Sequence, residues 1–249
     1  MLRASKPKTL EQRLDSRTSE RRASPVHYAV LFSGCSDPGR FEFKENLHFA
    51  CTAAQINGYL PEDIFIFGPV AEKMYHAADA PSREALRMMM SYLSENLGEE
   101  DVLLLYLTGH GRRTNRDYLD ENGIKQREKI SMLRTPGLFK DISEMEMAAW
   151  LSALNPRTGV LVYDQCYSGG FAQRTGKGKY VAVSASKPDE KSNWNTFAKA
   201  FFRPFTSQVS KPSVKEAFSL ALSEDMYAVA GKQTPQIFSD IDSSTVYLG

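Results

Sequence analysis

Short, mainly apolar runs recur along the chain from residue 28 onward, with longer mixed segments between them. Continuous apolar runs of this kind are typical of strands that are buried on both faces of a parallel sheet. We therefore predict a strand at each run, and a further strand at Gln236–Phe238. The runs are Tyr28–Phe32, Asp63–Phe67, Asp101–Leu107, Gly159–Tyr163 and Tyr180–Ala185.

The mixed segments carry the residue spacing of amphipathic helices. In one of them, Ser82 precedes apolar residues at helical intervals from Leu86 to Leu97, and Gly98 follows. Serine before a helix and glycine after it are common capping residues. Elsewhere, Asn122-Gly123 is typical of a β-hairpin turn. The other predicted helices cover Lys44–Asn57, Ser143–Leu154, Trp194–Phe202 and Val214–Val229.

This alternation of strands and helices predicts an α/β fold in three layers. Helices would cover both faces of a mostly parallel sheet of about six strands. Residues 26–249 contain no internal linker and no repeat, so we expect a single domain there. In such sheets the functional groups lie where loops leave the carboxyl ends of the strands.

Composition and charge exclude several classes of protein. The 249 residues include 31 basic and 30 acidic ones, so no overall charge indicates a nucleic-acid or membrane partner. No apolar run reaches the roughly 20 residues that cross a bilayer. The three cysteines are widely spaced and do not suggest a disulfide framework. We therefore expect a protein of the reducing cytoplasm.

Residues 1–25 differ from the rest, with seven basic and three acidic residues. Few large apolar side chains and no sustained periodicity predict a disordered or loosely helical basic arm. The arm lacks the continuous apolar centre of a secretory signal. It is either a solvated tail, a pro-segment cleaved after arginine, or an arm that docks an acidic partner.

Polar residues follow the third and fourth apolar runs. The third run leads into Gly109-His110-Gly111, and the fourth leads into Asp164-Gln165-Cys166. If the two strands are neighbours, His110 and Cys166 face one cleft. A nearby imidazole, or the amino end of a helix after the cysteine, would favour the nucleophilic thiolate. This pairing predicts nucleophilic catalysis by Cys166.

Glycines near both residues have a predicted role in that chemistry. The backbone N–H groups of Gly111 and Cys166 would donate to the oxyanion of a tetrahedral intermediate. Gly169 and Gly170 would permit a sharp turn after the nucleophile. Cys35 is a rival nucleophile because it also follows a strand, whereas Cys51 lies on an apolar helix face and is expected in the core.

Other catalytic motifs are absent from the sequence. There is no His-Glu-x-x-His metal motif, no phosphate-binding loop and no serine-hydrolase elbow. An acidic turn contains Asp117, Asp120, Glu121 and Asn122, but these residues do not make a complete calcium loop. We predict no cofactor or metal, and leave open weak activation by calcium.

The two strand-end sequences resemble those of caspase-fold cysteine peptidases, the group of caspases, metacaspases and legumains. Thr108-Gly109-His110-Gly111 is similar to their His-Gly signature, and Cys166-Tyr167-Ser168-Gly169 to a Cys-x-Ser-Gly signature. The 56 residues between His110 and Cys166 also suit the caspase spacing. True caspases carry Gln-Ala-Cys, so the chain resembles more the bacterial legumain-like and metacaspase-like members. Phe43–Phe67 also resembles the legumain-like proteins.

The resemblance implies a caspase-like peptidase domain over residues 26–249. Cys166 would attack the scissile carbonyl, His110 would protonate the leaving amine, and the amides of Gly111 and Cys166 would hold the oxyanion. In metacaspases an aspartate two residues before the cysteine lines the S1 pocket, and cleavage follows arginine or lysine. The corresponding residue here is Asp164, and the resemblance adds Ser184, Ser186 and Asp189 as substrate-binding residues.

The sequence leaves alternatives to this hypothesis open. One is a catalytically silent caspase-like scaffold, and another is a legumain-like transpeptidase that transfers the acyl group to an amine. The partners we expect are a protein or peptide substrate, with a regulatory partner left open, and neither nucleic acid nor membrane. Self-cleavage is a further hypothesis, with basic candidate sites at Arg21-Arg22, Arg112-Arg113, Lys125–Lys129 and Arg174–Lys179.

Overall fold

The structure is a computed structural model that describes residues 10–15, 24–35, 41–69, 79–137, 140–193, 196–209 and 211–249. The helices are α1 (Leu10–Asp15), α2 (Phe41–Ile56), α3 (Arg83–Asn96), α4 (Glu144–Ser152), α5 (Ser168–Thr175), α6 (Thr196–Phe202), α7 (Val214–Glu224) and α8 (Met226–Val229). The strands are β1 (His27–Ser33), β2 (Ile64–Phe67), β3 (Val102–Thr108), β4 (Gly111–Leu119), β5 (Lys125–Leu133), β6 (Ile142–Ser143), β7 (Thr158–Tyr163), β8 (Tyr180–Ser184) and β9 (Gln236–Ser239). Short 3₁₀ turns lie at Pro61–Asp63 and Arg203–Thr206.

A six-stranded sheet forms the centre of the molecule, in the order β2-β1-β3-β7-β8-β9. Every neighbouring pair is parallel except β8 and β9. The mostly parallel sheet predicted from the apolar runs is therefore confirmed. The pair that matters for the site is β3 and β7, which lie side by side with Leu107 opposite Tyr163.

Helices cover both faces of this sheet, as the alternating pattern predicts. One face, which includes Tyr106 and Val162, packs against α2, α6 and α7. The other face, which includes Leu107 and Tyr163, packs against α3, α4 and α5. Because successive strand residues point to opposite faces, each fully apolar strand fills both layers of the core.

A second, smaller sheet has the strand order β4-β5-β6 and begins directly after β3 in the chain. Its hairpin turns at Asn122-Gly123, where Gly123 has φ 71° and donates its N–H to Asp120 O. The hairpin predicted from this dipeptide is therefore confirmed. Its base packs against α4 and α5, while Leu119 and Ile124 near its tip are exposed.

The helix boundaries differ from the prediction in three places. The helix predicted over Val214–Val229 is interrupted at Asp225, whose side chain accepts the Tyr227 N–H and caps α8. Helix α2 begins at Phe41, earlier than predicted. Helix α5 begins at Ser168, directly after the cysteine loop, where the sequence suggested a helix without assigning its bounds. Ser82 caps α3, as predicted, and Ser143, which was predicted as the first residue of its helix, caps α4.

The basic arm contains one described element, α1. Leu10 and Leu14 of this helix are buried and belong to the same apolar cluster as Leu86 and Met89 of α3. The remainder of the arm through residue 23 lies outside the described residues, as does Trp194. In the ranges that the structure describes, no helix is both long and apolar enough to cross a membrane.

Candidate active site

The loops that leave β3 and β7 touch one another at the carboxyl edge of the sheet. The Asp164 N–H donates to Leu107 O at 2.9 Å, so the two strands stay paired up to this edge. Immediately beyond it, Gly111 packs on the backbone of Cys166. A β-carbon on Gly111 would lie 2.0 Å from the Cys166 carbonyl oxygen and 3.0 Å from its nitrogen. The segments that carry His110 and Cys166 are thus in direct contact.

Glycine is required at two further positions of this edge. Gly109 has φ 129°, and a β-carbon there would lie 3.0 Å from Gly34 N. A β-carbon on Gly34 would in turn lie 2.0 Å from Arg134 O. The ends of β1, β3 and β5 therefore approach too closely for any side chain. This packing fixes where the chain turns into His110.

His110 is exposed at the edge of the sheet. Its ring contacts Phe43 of α2 edge-on, with centroids 5.5 Å apart and an interplanar angle of 87°. Its carbonyl oxygen accepts the Arg134 N–H at 2.8 Å. The aromatic contact places the imidazole on the α2 side of the edge, and exposure leaves it accessible to a substrate.

The thiol of Cys166 is half-buried and lies against the loop that follows β8. Its Sγ donates to the Ser192 carbonyl oxygen at 3.6 Å, and the Ser192 hydroxyl lies 3.8 Å from the same sulfur. Ser192 also donates to Asp164 O at 3.4 Å. One residue of this loop therefore contacts the nucleophile and the backbone two residues before it.

The turn after Cys166 is made by Tyr167, not by the glycines we expected to make it. Tyr167 has φ 63° and is the only non-glycine residue in the described ranges with a positive φ. It is the N-cap residue of α5, and its N–H donates to Glu190 O at 2.8 Å. The turn brings the amino end of α5 beside Cys166.

Gly169 and Gly170 are instead required by the packing of α5. A β-carbon on Gly169 would lie 2.6 Å from Pro188 N, and one on Gly170 would lie 2.0 Å from the Glu144 carboxylate. These glycines let the first turn of α5 sit close to the β8 loop and to α4. The position of Cys166 thus depends on close packing on both sides of the helix.

Asp164 is fully buried on the α2 face of the sheet. Its Oδ2 accepts the Asn46 amide at 3.2 Å and the Tyr106 hydroxyl at 3.3 Å, while its Oδ1 has no hydrogen-bond partner. Burial raises the pKa of this carboxyl well above its usual range, against the opposing effect of the Tyr106 hydrogen bond, and the charge of Asp225 raises the pKa further. Asp164 is therefore a buried carboxyl with one free acceptor.

Gln165 is also fully buried, and neither Nε2 nor Oε1 of its amide has a hydrogen-bond partner in the structure. Buried polar groups without partners are rare in proteins and cost about 1–3 kcal/mol each. Asp164 and Gln165, the two residues that precede Cys166, both carry such groups.

Ser184 and Ser186 lie where the predicted pocket wall should be, next to the end of β7. Ser184 pairs with Tyr163 across the strands, and its hydroxyl donates to Ser186 O at 3.1 Å. The Ser186 N–H donates to Ser168 Oγ at 3.2 Å. Both serines are buried, so their hydroxyls are used to shape the loop. Asp189, in contrast, is exposed in the turn that follows.

The loop from 187 to 193 is tied to the rest of the chain by carboxylates that sequence reasoning missed. Glu190 accepts the N–H groups of Lys187 and Thr234. Asp225 accepts the Thr196 hydroxyl at 2.6 Å and the amide of Gln233, which in turn accepts the Asn193 N–H. Asp225, which follows α7, could have been predicted from the sequence as a helix cap, but its contact with the loop is visible only in the structure.

The carboxylates of the acidic turn in the hairpin bond to protein donors. Asp117 pairs with Arg127 and Lys125, and Asp120 accepts the N–H groups of Asn122 and Ile124. Across the part of the chain that the structure describes, no cluster of three or more potential metal ligands occurs. These carboxylates are already occupied by protein donors.

A scan against known protein families finds no model that matches the chain, and a search of curated proteins finds no match either. Assignment of a function therefore rests on the residues of this edge and on their geometry.

Proposed function

We propose that the chain is a cysteine endopeptidase of the caspase-like group, with Cys166 and His110 as its catalytic dyad. The observation that carries the proposal is the contact of Gly111 with the backbone of Cys166. It joins the His-Gly and Cys-x-Ser-Gly segments at one edge of a parallel sheet, in adjacent strands. Cys35 also lies at this edge, but it follows β1, which is separated from β7 by β3.

The proposed reaction begins with attack of the Cys166 thiolate on the scissile carbonyl carbon. The N–H groups of Gly111 and Cys166 lie on adjoining segments and would donate to the oxyanion, a contribution worth about 10²–10³ in rate per donor in other enzymes. His110 would give a proton to the leaving nitrogen as the C–N bond breaks. Water would then hydrolyse the thioester and regenerate the thiol.

We propose Asp164 as the group that selects arginine or lysine at P1. Its unpartnered Oδ1 is an acceptor without a donor, and a guanidinium or ammonium would supply donors and the opposite charge. Ser184 and Ser186 would form the adjacent wall. Asp189 is exposed and is placed at the rim, where its pairing with a cation would contribute little.

The conformation of the β8 loop supports a regulated enzyme. Ser192 contacts the Cys166 sulfur, and Asp164 has no solvent-exposed surface. A substrate side chain would reach Asp164 only after the covering residues move. We therefore propose that the protease acts on a specific protein in the cytoplasm once a partner or substrate displaces this loop.

Comparison of three proteins tests the dyad: wild type, Cys166→Ala, and Cys35→Ala as a matched control. Each is treated with an acyloxymethyl ketone that carries arginine at P1, with and without calcium, and the modified residue is located by mass spectrometry. The proposal predicts labelling of wild type and of Cys35→Ala at Cys166. Labelling at Cys35 would identify Cys35 as the nucleophile and overturn the dyad, and labelling of none of the proteins would favour a silent scaffold. Transfer to an added amine, measured on a cleaved peptide, would identify a transpeptidase.

A further inference from the structure

One arginine beside the proposed active site lacks the partner that its neighbours have. On β4, Arg112 pairs with Asp141 and Arg116 pairs with Glu128. Arg113 lies between them, and among the described residues it has neither an ion pair nor a side-chain hydrogen bond. Its Nε is buried and unsatisfied. A buried charged donor without an acceptor is costly, so such a group in a cleft indicates a missing anionic partner.

The face of β4 that carries Arg113 is turned toward the nucleophile. Gly111 and Arg113 are two residues apart and therefore share a face of the strand. Gly111 packs on Cys166, and the residues opposite the two, Leu133 and Ser131, are buried. Arg113 itself is half-buried. It therefore lies on the strand that begins beside Cys166, on the same face as Gly111.

Among the residues that the structure describes, the carboxylates near Arg113 are already engaged by other groups. Glu144 lies beside Ser131, but its carboxylate accepts the Ser131 N–H and is paired with Arg174. Asp141 and Glu128 are taken by the neighbouring arginines. The positive charge of Arg113 therefore has no carboxylate partner in the described ranges, and a substrate group could supply one.

The order of the strands gives the side of the scissile bond that Arg113 would face. Along the sheet edge, β7 lies between β3 and β8. The proposed P1 pocket is on the β8 side, where Ser184 and the loop with Ser192 lie. His110, the proposed proton donor to the leaving nitrogen, is on the β3 side. Arg113 follows His110 by three residues, roughly 10 Å along an extended chain, so it borders the leaving-group side.

We propose that Arg113 binds a carboxylate on the substrate residue at P1′ or P2′, and so makes the enzyme selective for acidic residues after the cleaved bond. This inference rests on the proposed peptidase function. A planar guanidinium binds a carboxylate through two parallel hydrogen bonds, and is therefore selective for it over a neutral amide. Together with Asp164, Arg113 would define a recognition sequence of a basic residue followed by an acidic one.

The test uses peptides with arginine at P1 and glutamate, glutamine or lysine at P1′ and at P2′ in turn, each with an amidated C-terminus. The proteins are wild type, Arg113→Gln, Arg113→Glu, the charge-preserving Arg113→Lys, and Arg116→Gln as the control on the same strand. We expect wild type to prefer glutamate over glutamine on the order of tenfold in kcat/KM. Arg113→Gln should remove this preference, Arg113→Glu should reverse it toward lysine, and both Arg113→Lys and Arg116→Gln should keep it.

Failure of this inference is distinct from failure of the proposed function. Wild type that cleaves after arginine with equal kcat/KM for all three residues would overturn the role of Arg113 alone, as would a preference that survives in Arg113→Gln. A preference seen only with a free C-terminal carboxylate would also overturn it, because the bound group would then be the chain end. Cleavage that persists in Cys166→Ala, or is absent altogether, would overturn the peptidase proposal and this inference with it.

Discussion

Gly111 and Cys166 lie so close that a β-carbon on Gly111 would be 2.0 Å from the Cys166 carbonyl oxygen. No side chain fits in that space, because the atom it would meet is backbone. The contact holds the loop after β3 against the loop after β7. In the proposed enzyme the same contact aligns the two N–H groups that bind the oxyanion.

Gly111→Ala should therefore force the two loops apart. Misplacement of reacting groups by about 1 Å costs on the order of 10²-fold in rate, and overpacking costs about 1–3 kcal/mol of unfolding free energy. We expect both losses in peptide cleavage and chemical denaturation. Gly98→Ala is the control, since its nearest atom would be the Asp101 carboxylate at 3.6 Å. Wild-type activity in Gly111→Ala would show that the loops do not need this contact.

Burial of Asp164 gives its effect on stability a defined pH dependence. Burial raises the pKa of this carboxyl in the folded protein, while in the unfolded chain it ionises near pH 3.9. The folded state then holds a proton that the unfolded state releases, so Asp164 destabilises the fold progressively as pH rises above about 4. Wild type should lose stability relative to Asp164→Asn over this range, by at most about 1.4 kcal/mol per pH unit. A constant difference in denaturation from pH 4 to 7 would contradict this.

The charge of Asp225 should affect the pKa of Asp164, the residue proposed to select the P1 side chain. Burial is the largest cause of the raised pKa of Asp164, and the Tyr106 hydrogen bond opposes it. The charge of Asp225 is a further cause that raises the pKa. Asp225→Asn removes that charge and keeps an oxygen for the Thr196 hydroxyl. The Asp164 pKa should fall, so the acid limb of kcat/KM for an arginine substrate should move to lower pH. Glu224→Gln, one residue earlier, should leave the limb in place. An unmoved limb in Asp225→Asn would show that Asp164 does not control it.

Self-cleavage at basic loops is tested by intact mass. Arg174–Lys179 runs from the end of α5 into an exposed turn at Gly178, whereas Lys125–Lys129 is paired within β5. Arg21-Arg22 lies outside the described residues. We expect wild type to lose mass by cleavage within Arg174–Lys179 and Cys166→Ala to remain intact. Identical masses after incubation would exclude self-cleavage.

The strands of the main sheet were predictable because buried parallel strands are apolar on both faces. The runs ending at Phe32 and Leu107, for example, lie within one residue of the observed strand ends. The antiparallel direction of β9 was not predictable, since a strand of four half-buried residues carries no signal of direction. A helix after Cys166 was suggested by the sequence, but its bounds were not, because Gly169 and Gly170 have low helix propensity and their packing on Pro188 and Glu144 is visible only in the structure.

The candidate site was predictable only where it follows the strands. His110 and Cys166 each come directly after an apolar run, so adjacency of the two strands brings them to one edge. The partners of Asp164 are distant in sequence, with Asn46 118 residues away and Tyr106 58 residues away. No local pattern reports such contacts. The absence of a described ion-pair partner for Arg113 likewise could not be predicted from the sequence, because it depends on how the neighbouring arginines are paired.

The most direct test of the account is cleavage of peptides that differ only at P1, carrying arginine, lysine, asparagine or aspartate. Wild type and Cys166→Ala are measured side by side, with and without calcium. The account predicts cleavage after arginine and lysine by wild type alone, with asparagine and aspartate peptides left intact. Equal cleavage by Cys166→Ala, or a preference for asparagine or aspartate, would contradict it.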